Sequence, residues 1–330
     1  REWHKGGGMV SRLVAGIAAV IAFCAVACAQ NYPVKPVRII VPFSAGGLTD
    51  VLGRGLANEL TKMWGQQVIV ENRAGANTII AAELVARSPP DGYTLLLAND
   101  PTLSLNQYMY AKLPYDPVRD FTPVINIVQS VTVLVVTPSL PVNNLQELIA
   151  MAKTRPGEVT YGTFGYGSST HLDTVELSIM AGIKLSHIPF KGIADVLPAV
   201  MSGQINMGLS AVAPALANIR SGRLKALAYA GTQRSKVLPN VPTYAEAGLP
   251  GFLTHGWFGF VVPAGTPRPV IDKIAADTSK VITTREFDEK FVTGVGMELL
   301  NQGPAEYAEF LVKDRAQYAK RVKEVNVKLD

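Results

Sequence analysis

Two stretches of small residues stand where a strand gives way to a helix. Ser44-Ala45-Gly46-Gly47 follows the β-branched run Val37-Arg38-Ile39-Ile40-Val41, and Gly165-Tyr166-Gly167-Ser168-Ser169-Thr170 follows Val159-Thr160-Tyr161. A strand-to-helix junction leaves backbone N–H groups unpaired at the positive end of a helix dipole, which favours an anion. Glycine lets a ligand approach the main chain, and serine adds a donor. Two such junctions in different parts of the chain can grip the two ends of a small carboxylate. The plainer alternative is a pair of tight turns with serine caps.

Other side chains near these junctions have two readings each. Asp50 can complement the first turn of its helix, meet a ligand amine or fix the loop. His171 can donate to a carboxylate or simply pack. Phe43 and Tyr166 suit apolar walls around a ligand, or anchors for their loops. Lys191 can bring a cation near a cleft or stay solvated. Nucleotide-binding, zinc-protease and α/β-hydrolase nucleophile motifs are missing from the chain. His171, His187 and His255 are too far apart in sequence for a close ligand pattern, so no metal and no cofactor are expected. Ser168 or Ser169 with His171 and an acid leaves an exported serine hydrolase as a competing reading. A sensory protein that signals through a membrane partner is another.

The elements that must position these residues alternate strand and helix. Leu48, Leu52, Leu56 and Leu60 recur every four residues, predicting a helix from Leu48 to about Met63. Strands are expected at 68–70, 94–98, 131–136, 159–161, 185–188, 204–209, 224–228 and 256–262, and the part after Pro269 reads as mostly helical. Repeated strand–helix units predict an α/β protein with mainly parallel sheets. The two runs joined near 122–140 suggest two lobes with a cleft between them. The boundaries expected are 32–134 plus 256–330 for lobe I and 135–255 for lobe II. At 330 residues with 48% hydrophobic and 17% charged residues, the chain can fill two cores, which argues against disorder. The net charge of +5 comes without a run of five like charges, so nucleic acid is not an expected partner.

Residues 1–29 read as an export signal with some upstream residues. A start at Met9, the cation Arg12, an apolar stretch Leu13–Ala27 and Ala27-Cys28-Ala29 before Gln30 make the three-part secretory pattern. The apolar stretch is shorter than the ~20 residues a membrane span needs. Both cysteines, Cys24 and Cys28, fall inside residues 1–29, so the exported protein is expected to carry no thiol and to reside in the periplasm.

Several motifs, taken together and in order, resemble the tripartite tricarboxylate transporter receptors, the Bug or TctC-like family. Ile40-Val41-Pro42-Phe43-Ser44-Ala45-Gly46-Gly47-Leu48-Thr49-Asp50 looks like the family's opening motif. Val70-Glu71-Asn72-Arg73-Ala74-Gly75-Ala76 and Ser88-Pro89-Pro90-Asp91-Gly92-Tyr93 follow it, then Leu113-Pro114-Tyr115-Asp116-Pro117. Tyr161 through Leu172 and Ile188-Pro189-Phe190-Lys191-Gly192 resemble its later motifs. The resemblance implies a two-lobed periplasmic-binding-protein fold closing on a carboxylated ligand, with delivery to a membrane permease rather than catalysis. It implies that the loop Ser44–Gly47 holds one carboxylate, and that Thr163 to Ser169 with His171 lie at the other end of the cleft. Asn99, after the third strand, and Asp195, opening the helix after Lys191-Gly192, complete the expected ligand-binding set. Asn99-Asp100, Met207-Gly208-Leu209-Ser210 and Phe190 depart from the family pattern and imply a less polar distal pocket. The receptor is expected to act as a monomer.

Overall fold

The computed structural model describes residues 32–190 and 193–325; the expected export segment, both cysteines and Lys191 lie outside the described residues. The first unit is β1 (Val37–Val41), α1 (Leu48–Trp64), β2 (Val68–Asn72), α2 (Ile79–Ala86) and β3 (Thr94–Asn99). β1 pairs in parallel with both β2 and β3. Its residues alternate between two cores, as the period of two requires. Val37, Ile39 and Val41 pack with Leu52, Leu56 and Leu60 of α1. Ile40 faces the opposite way, with Ala81, Ala82 and Val85 of α2. The leucine spacing thus places α1, and Gly65 ends it in the left-handed conformation, its N–H bonded to the Thr61 carbonyl.

The second unit is α4 (Leu145–Thr154), β5 (Thr160–Thr163), α5 (Ser169–Ala181), β6 (Ser186–Pro189), α6 (Ile193–Met201), β7 (Met207–Ala211), α7 (Val212–Arg220) and β8 (Lys225–Tyr229). Here β5 pairs in parallel with β6 and β7. Its apolar side chains form a separate core from Val131 to Phe252. A short α3 (Asn106–Met109) follows a π-helical turn, Pro101–Leu105, between the two units.

The units are joined by β4 (Phe121–Val136) and β9 (His255–Pro263). β4 is one continuous strand of sixteen residues, where a strand of six beginning at Val131 was expected. Its first part pairs antiparallel with β9, and its last residues pair antiparallel with β7 and β8. The strand order is β2-β1-β3-β9-β4-β7-β5-β6. The outer strands are therefore parallel, as expected. The strands that cross between the units run antiparallel, so each sheet is mixed. The late part is α8 (Arg268–Ile282), α9 (Arg285–Phe291), β10 (Met297–Gln302) and α10 (Pro304–Val325). β10 is a strand inside the segment expected to be helical, and it pairs antiparallel with β4. α10 reaches both units. Tyr307 and Leu311 pack beneath the first sheet, while Tyr318 and Val322 pack with Leu172 of α5 and Leu105 and Met109. No helix among the described residues is long and apolar enough to cross a membrane.

The crossing strands leave no space for a side chain at Gly259. A Cβ there would sit 2.8 Å from the Ile125 carbonyl oxygen and 2.7 Å from Tyr307 Oη. Gly259→Ala is expected to cost about 1–3 kcal/mol of stability by overpacking. Gly303→Ala, whose Cβ meets nothing within 4 Å, is the control and should stay within about 0.5 kcal/mol. Chemical denaturation of the two variants checks this, and equal midpoints would refute the packing argument.

Candidate functional site

The first loop is built around Asp50. This carboxylate is buried in the first turn of α1, at 3% exposure. The Gly46 N–H donates to its Oδ2 at 2.9 Å, and Arg54 Nε donates to the same oxygen at 2.9 Å. Asn72 Nδ2 donates to Oδ1 at 2.9 Å and to the Phe43 carbonyl at 3.0 Å. Burial alone would raise the Asp50 carboxyl, but the Arg54, Gly46 and Asn72 donors together hold it below the ordinary carboxylate value. Of the readings open to Asp50, the geometry supports the one in which it fixes the loop. Ser44, Ala45 and Gly46 are exposed, and Gly47 is half-buried. Gly46 holds a φ of 84°, a region that favours glycine. Gly47 caps α1 in an extended conformation without a side-chain cap, which leaves first-turn amides of the helix for an anion.

The second loop is self-bonded. Ser168 is the N-cap of α5, accepting from the His171 N–H at 3.3 Å and donating to the Gly165 carbonyl at 2.7 Å. At 1% exposure it acts as a helix cap. Its hydroxyl points at a carbonyl rather than at an imidazole, which is not the geometry of an activated nucleophile. Thr163 is fully buried, and its Oγ1 donates to the Gly165 carbonyl at 3.0 Å and lies 2.6 Å from His187 Nε2. Ser169 is half-buried in the first turn of α5.

His187 is the residue that sequence reasoning missed. Tyr161 of β5 stands level with His187 of β6 in the parallel register. The two rings stack at 4.9 Å, and His187 stacks on His171 at 4.2 Å. The Tyr166 edge closes over both imidazoles, at 4.6 Å from His187 and 5.6 Å from His171. The Gly167 N–H donates to His171 Nδ1 at 3.1 Å, so the neutral ring carries its proton on Nε2 as a donor. Burial lowers the His171 pKa. Burial, and then the charge of a protonated His171, push His187 down to about 4. Only the parallel alignment of β5 and β6 could have revealed this pairing, because the two histidines are remote in sequence.

The two loops meet. The Phe43 and Phe164 rings contact edge to face at 6.3 Å, and Asn77 Nδ2 donates to the Gly167 carbonyl at 3.3 Å. Phe43, Ser44, Ala45, Gly46, Gly47 and Asp50 are thus brought towards Thr163, Tyr166, Ser168, Ser169 and His171. Asn99 is placed differently. It is 2% exposed, and its Oδ1 accepts from Thr102 Oγ1 at 2.5 Å, so it holds the π-helical turn. Asp195 is exposed in the first turn of α6. The described residues contain no group of three or more His, Cys, Asp and Glu able to hold a metal.

Two predictions follow from these charges. Asp50→Asn places an amide against the Arg54 and Asn72 donors and is expected to cost about 1–3 kcal/mol at neutral pH. Because the folded state holds this pKa below its ordinary 3.8, the contribution is present above 3.8 and lost as pH falls through the lower folded value. Denaturation curves from pH 7 to pH 3 should therefore converge for wild type and variant; a constant gap would contradict the assignment. For His187 the folded value is also depressed, from 6.5 to about 4. Its contribution is complete above pH 6.5 and shrinks between 6.5 and 4, as the unfolded chain takes up the proton first. His187→Gln should flatten that acid limb, and identical pH profiles would rule the residue out as its source.

Comparison with known proteins fits this architecture. Residues 52–327 match the model of the tripartite tricarboxylate transporter family receptor. Protein BugT of Bordetella pertussis is 34% identical over 97% of this chain and 99% of its own. Among solved structures, Rpa4515 of R. palustris with adipate superposes with a TM-score of 0.86 at 32% identity, covering 90% of this chain and 99% of that one. MatC from Rhodopseudomonas palustris with bound malate gives 0.82 at 30% identity, covering 88% and 100%. The fold is the two-lobed α/β fold of periplasmic binding proteins, the family is one of solute-binding receptors rather than enzymes, and the chain belongs to the tripartite tricarboxylate transporter receptor family.

Proposed function

We propose that this protein is a periplasmic receptor that captures a small mono- or dicarboxylate between its lobes and delivers it to a tripartite tricarboxylate-type permease. The lobes are residues 32–134 with 256–330, and 135–255, and the export signal over residues 1–29 is removed. The observation that carries this reading is the meeting of the two loops at Phe43 and Phe164. In this reading the helix start at Gly47, which has no side-chain cap, and the His171 imidazole face the two ends of the ligand. A carboxylate between them would accept from first-turn amides of α1 on one side and from His171 Nε2–H on the other. Ser169 and Tyr166 line the same end. Relatives of the same fold that hold adipate and malate support a carboxylate as the ligand class.

A ligand that contacts both lobes favours the closed state, because only there are all its contacts made. Titration calorimetry with adipate and with malate, followed by short monocarboxylates, is expected to show one saturable site for at least one of them. Saturation at a hundred times the dissociation constant should add ~2.7 kcal/mol to stability. Adipamide, which keeps the shape of adipate without its charge, should not bind. Binding of the diamide as tight as that of the diacid, or no binding by any carboxylate, would sink the proposal.

A further inference from the structure

Three consecutive residues without a glycine among them, Ala76, Asn77 and Thr78, have φ values of 46°, 47° and 74°. Each such residue costs roughly 1 kcal/mol or more, and they persist only where the surroundings over-determine them. A buried polar network does so here. Asn106, 0% exposed, donates from Nδ2 to the Asn77 carbonyl at 2.8 Å, and Asn77 Nδ2 donates back to Asn106 Oδ1 at 2.8 Å. Thr102 Oγ1, whose proton goes to Asn99 Oδ1, accepts from Thr78 Oγ1 at 2.9 Å, and Tyr115 Oη donates to the Thr102 carbonyl at 2.8 Å. These bonds all lie on the side of the first sheet. The one bond that leaves it runs from Asn77 Nδ2 to the Gly167 carbonyl in the second loop.

Two acceptors around Nδ2, Asn106 Oδ1 and the Gly167 oxygen, fix which way the Asn77 amide faces. Its own Oδ1 is buried without a partner. The side chain therefore gives up one hydrogen bond and sits on a strained turn in order to reach the opposite lobe. The residue it reaches is the one whose N–H holds His171 Nδ1. We infer that Asn77 is a positioning residue that clasps the two lobes, favouring the closed cleft and fixing Gly167, whose N–H bonds His171 Nδ1, so that His171 Nε2–H stays turned to the ligand. The purpose of the clasp rests on the receptor reading, but its existence does not.

Hydrogen exchange on the ligand-free protein separates the two. Asn77→Gly suits the positive φ and removes the carboxamide. Asn77→Asp also tolerates that φ and sets a carboxylate against the Gly167 carbonyl. In both variants, amides at 164–168 should exchange roughly fivefold faster than in the wild type, the worth of one ordinary hydrogen bond, with the larger effect for Asp. A residue that merely stabilises its own turn would accelerate exchange at 75–79 alone. Acceleration confined to 75–79, or a wild-type 164–168 loop that already exchanges without protection, would overturn the clasp. Added adipate or malate reports on the receptor reading separately. A clasp effect with no protection by any carboxylate would preserve this inference while removing the proposed ligand class.

Discussion

The fold turns on the antiparallel pair β4 and β9. A sheet can be divided into two lobes only if some strand passes from one to the other without losing its hydrogen bonds, since buried N–H and C=O groups left unpaired are costly. β4 meets this by exchanging partners along its length. Up to Val131 it pairs with β9, and from Thr132 with β7. Thr132 marks the change on the side-chain level too, its hydroxyl 2.5 Å from that of Thr254 just before β9. Close packing of Gly259 against Ile125 keeps the two crossing strands in contact where the register shifts. With the crossing fixed, the loop that follows β1 and the loop that follows β5 are brought into contact, Phe43 against Phe164. α10 supplies the second tie. Arg321 reaches Asp173 at 2.5 Å and Glu176 at 2.6 Å on α5, while Tyr318 Oη donates to Asp100 at 2.8 Å.

The two loops solve the same problem by opposite means. In the first, a buried carboxylate organises the main chain and the helix start is left open. In the second, Ser168 closes the helix start, and the open donor is a side chain, His171 Nε2–H. The asymmetry follows from sequence. Asp50 lies inside its helix and can reach back to Gly46, whereas Ser168 lies before its helix and can only cap it. An anion entering the first loop meets the negative charge of Asp50 already balanced by Arg54, whose guanidinium also reaches Asn72 Oδ1 at 3.2 Å.

Much of this was legible in the residues. The leucine repeat of α1, the β-branched run of β1 and both small-residue junctions are local patterns, and local patterns survive folding. The readings that differed depend on long-range pairing. Phe121 to Ser130 contains a proline and four polar residues, Thr122, Asn126, Gln129 and Ser130, that disguise a strand, yet β9 and β10 on either side hold it extended. β10 hides among charged helices because only its pairing with β4 makes it a strand. Ala76-Asn77-Thr78 carries no glycine to announce a left-handed turn; Asn106, Thr102 and Tyr115 impose it from another segment. His187 belongs to the site because β5 and β6 are neighbours, a fact that no spacing along the chain contains.

The charge balance of the cleft narrows what it can recognise in the receptor reading. At the second end the two imidazoles are held neutral by burial, and Tyr161 is pushed up to about 12 by the same cause, so none of the three is charged at neutral pH. Phe43, Phe164 and Tyr166 add aromatic surface between the ends. In that reading, recognition of negative charge falls on helix amides and on one imidazole N–H. Dipoles of this kind hold an anion only where geometry is fixed in advance, since they cannot follow it as a long flexible cation can. That requirement accounts for the bonds spent on holding the loops rather than on reaching into the cleft. Asp50 ties down Gly46, Asn72 ties down Phe43, Ser168 ties down Gly165, and Gly167 is held on both sides, at its N–H and at its carbonyl.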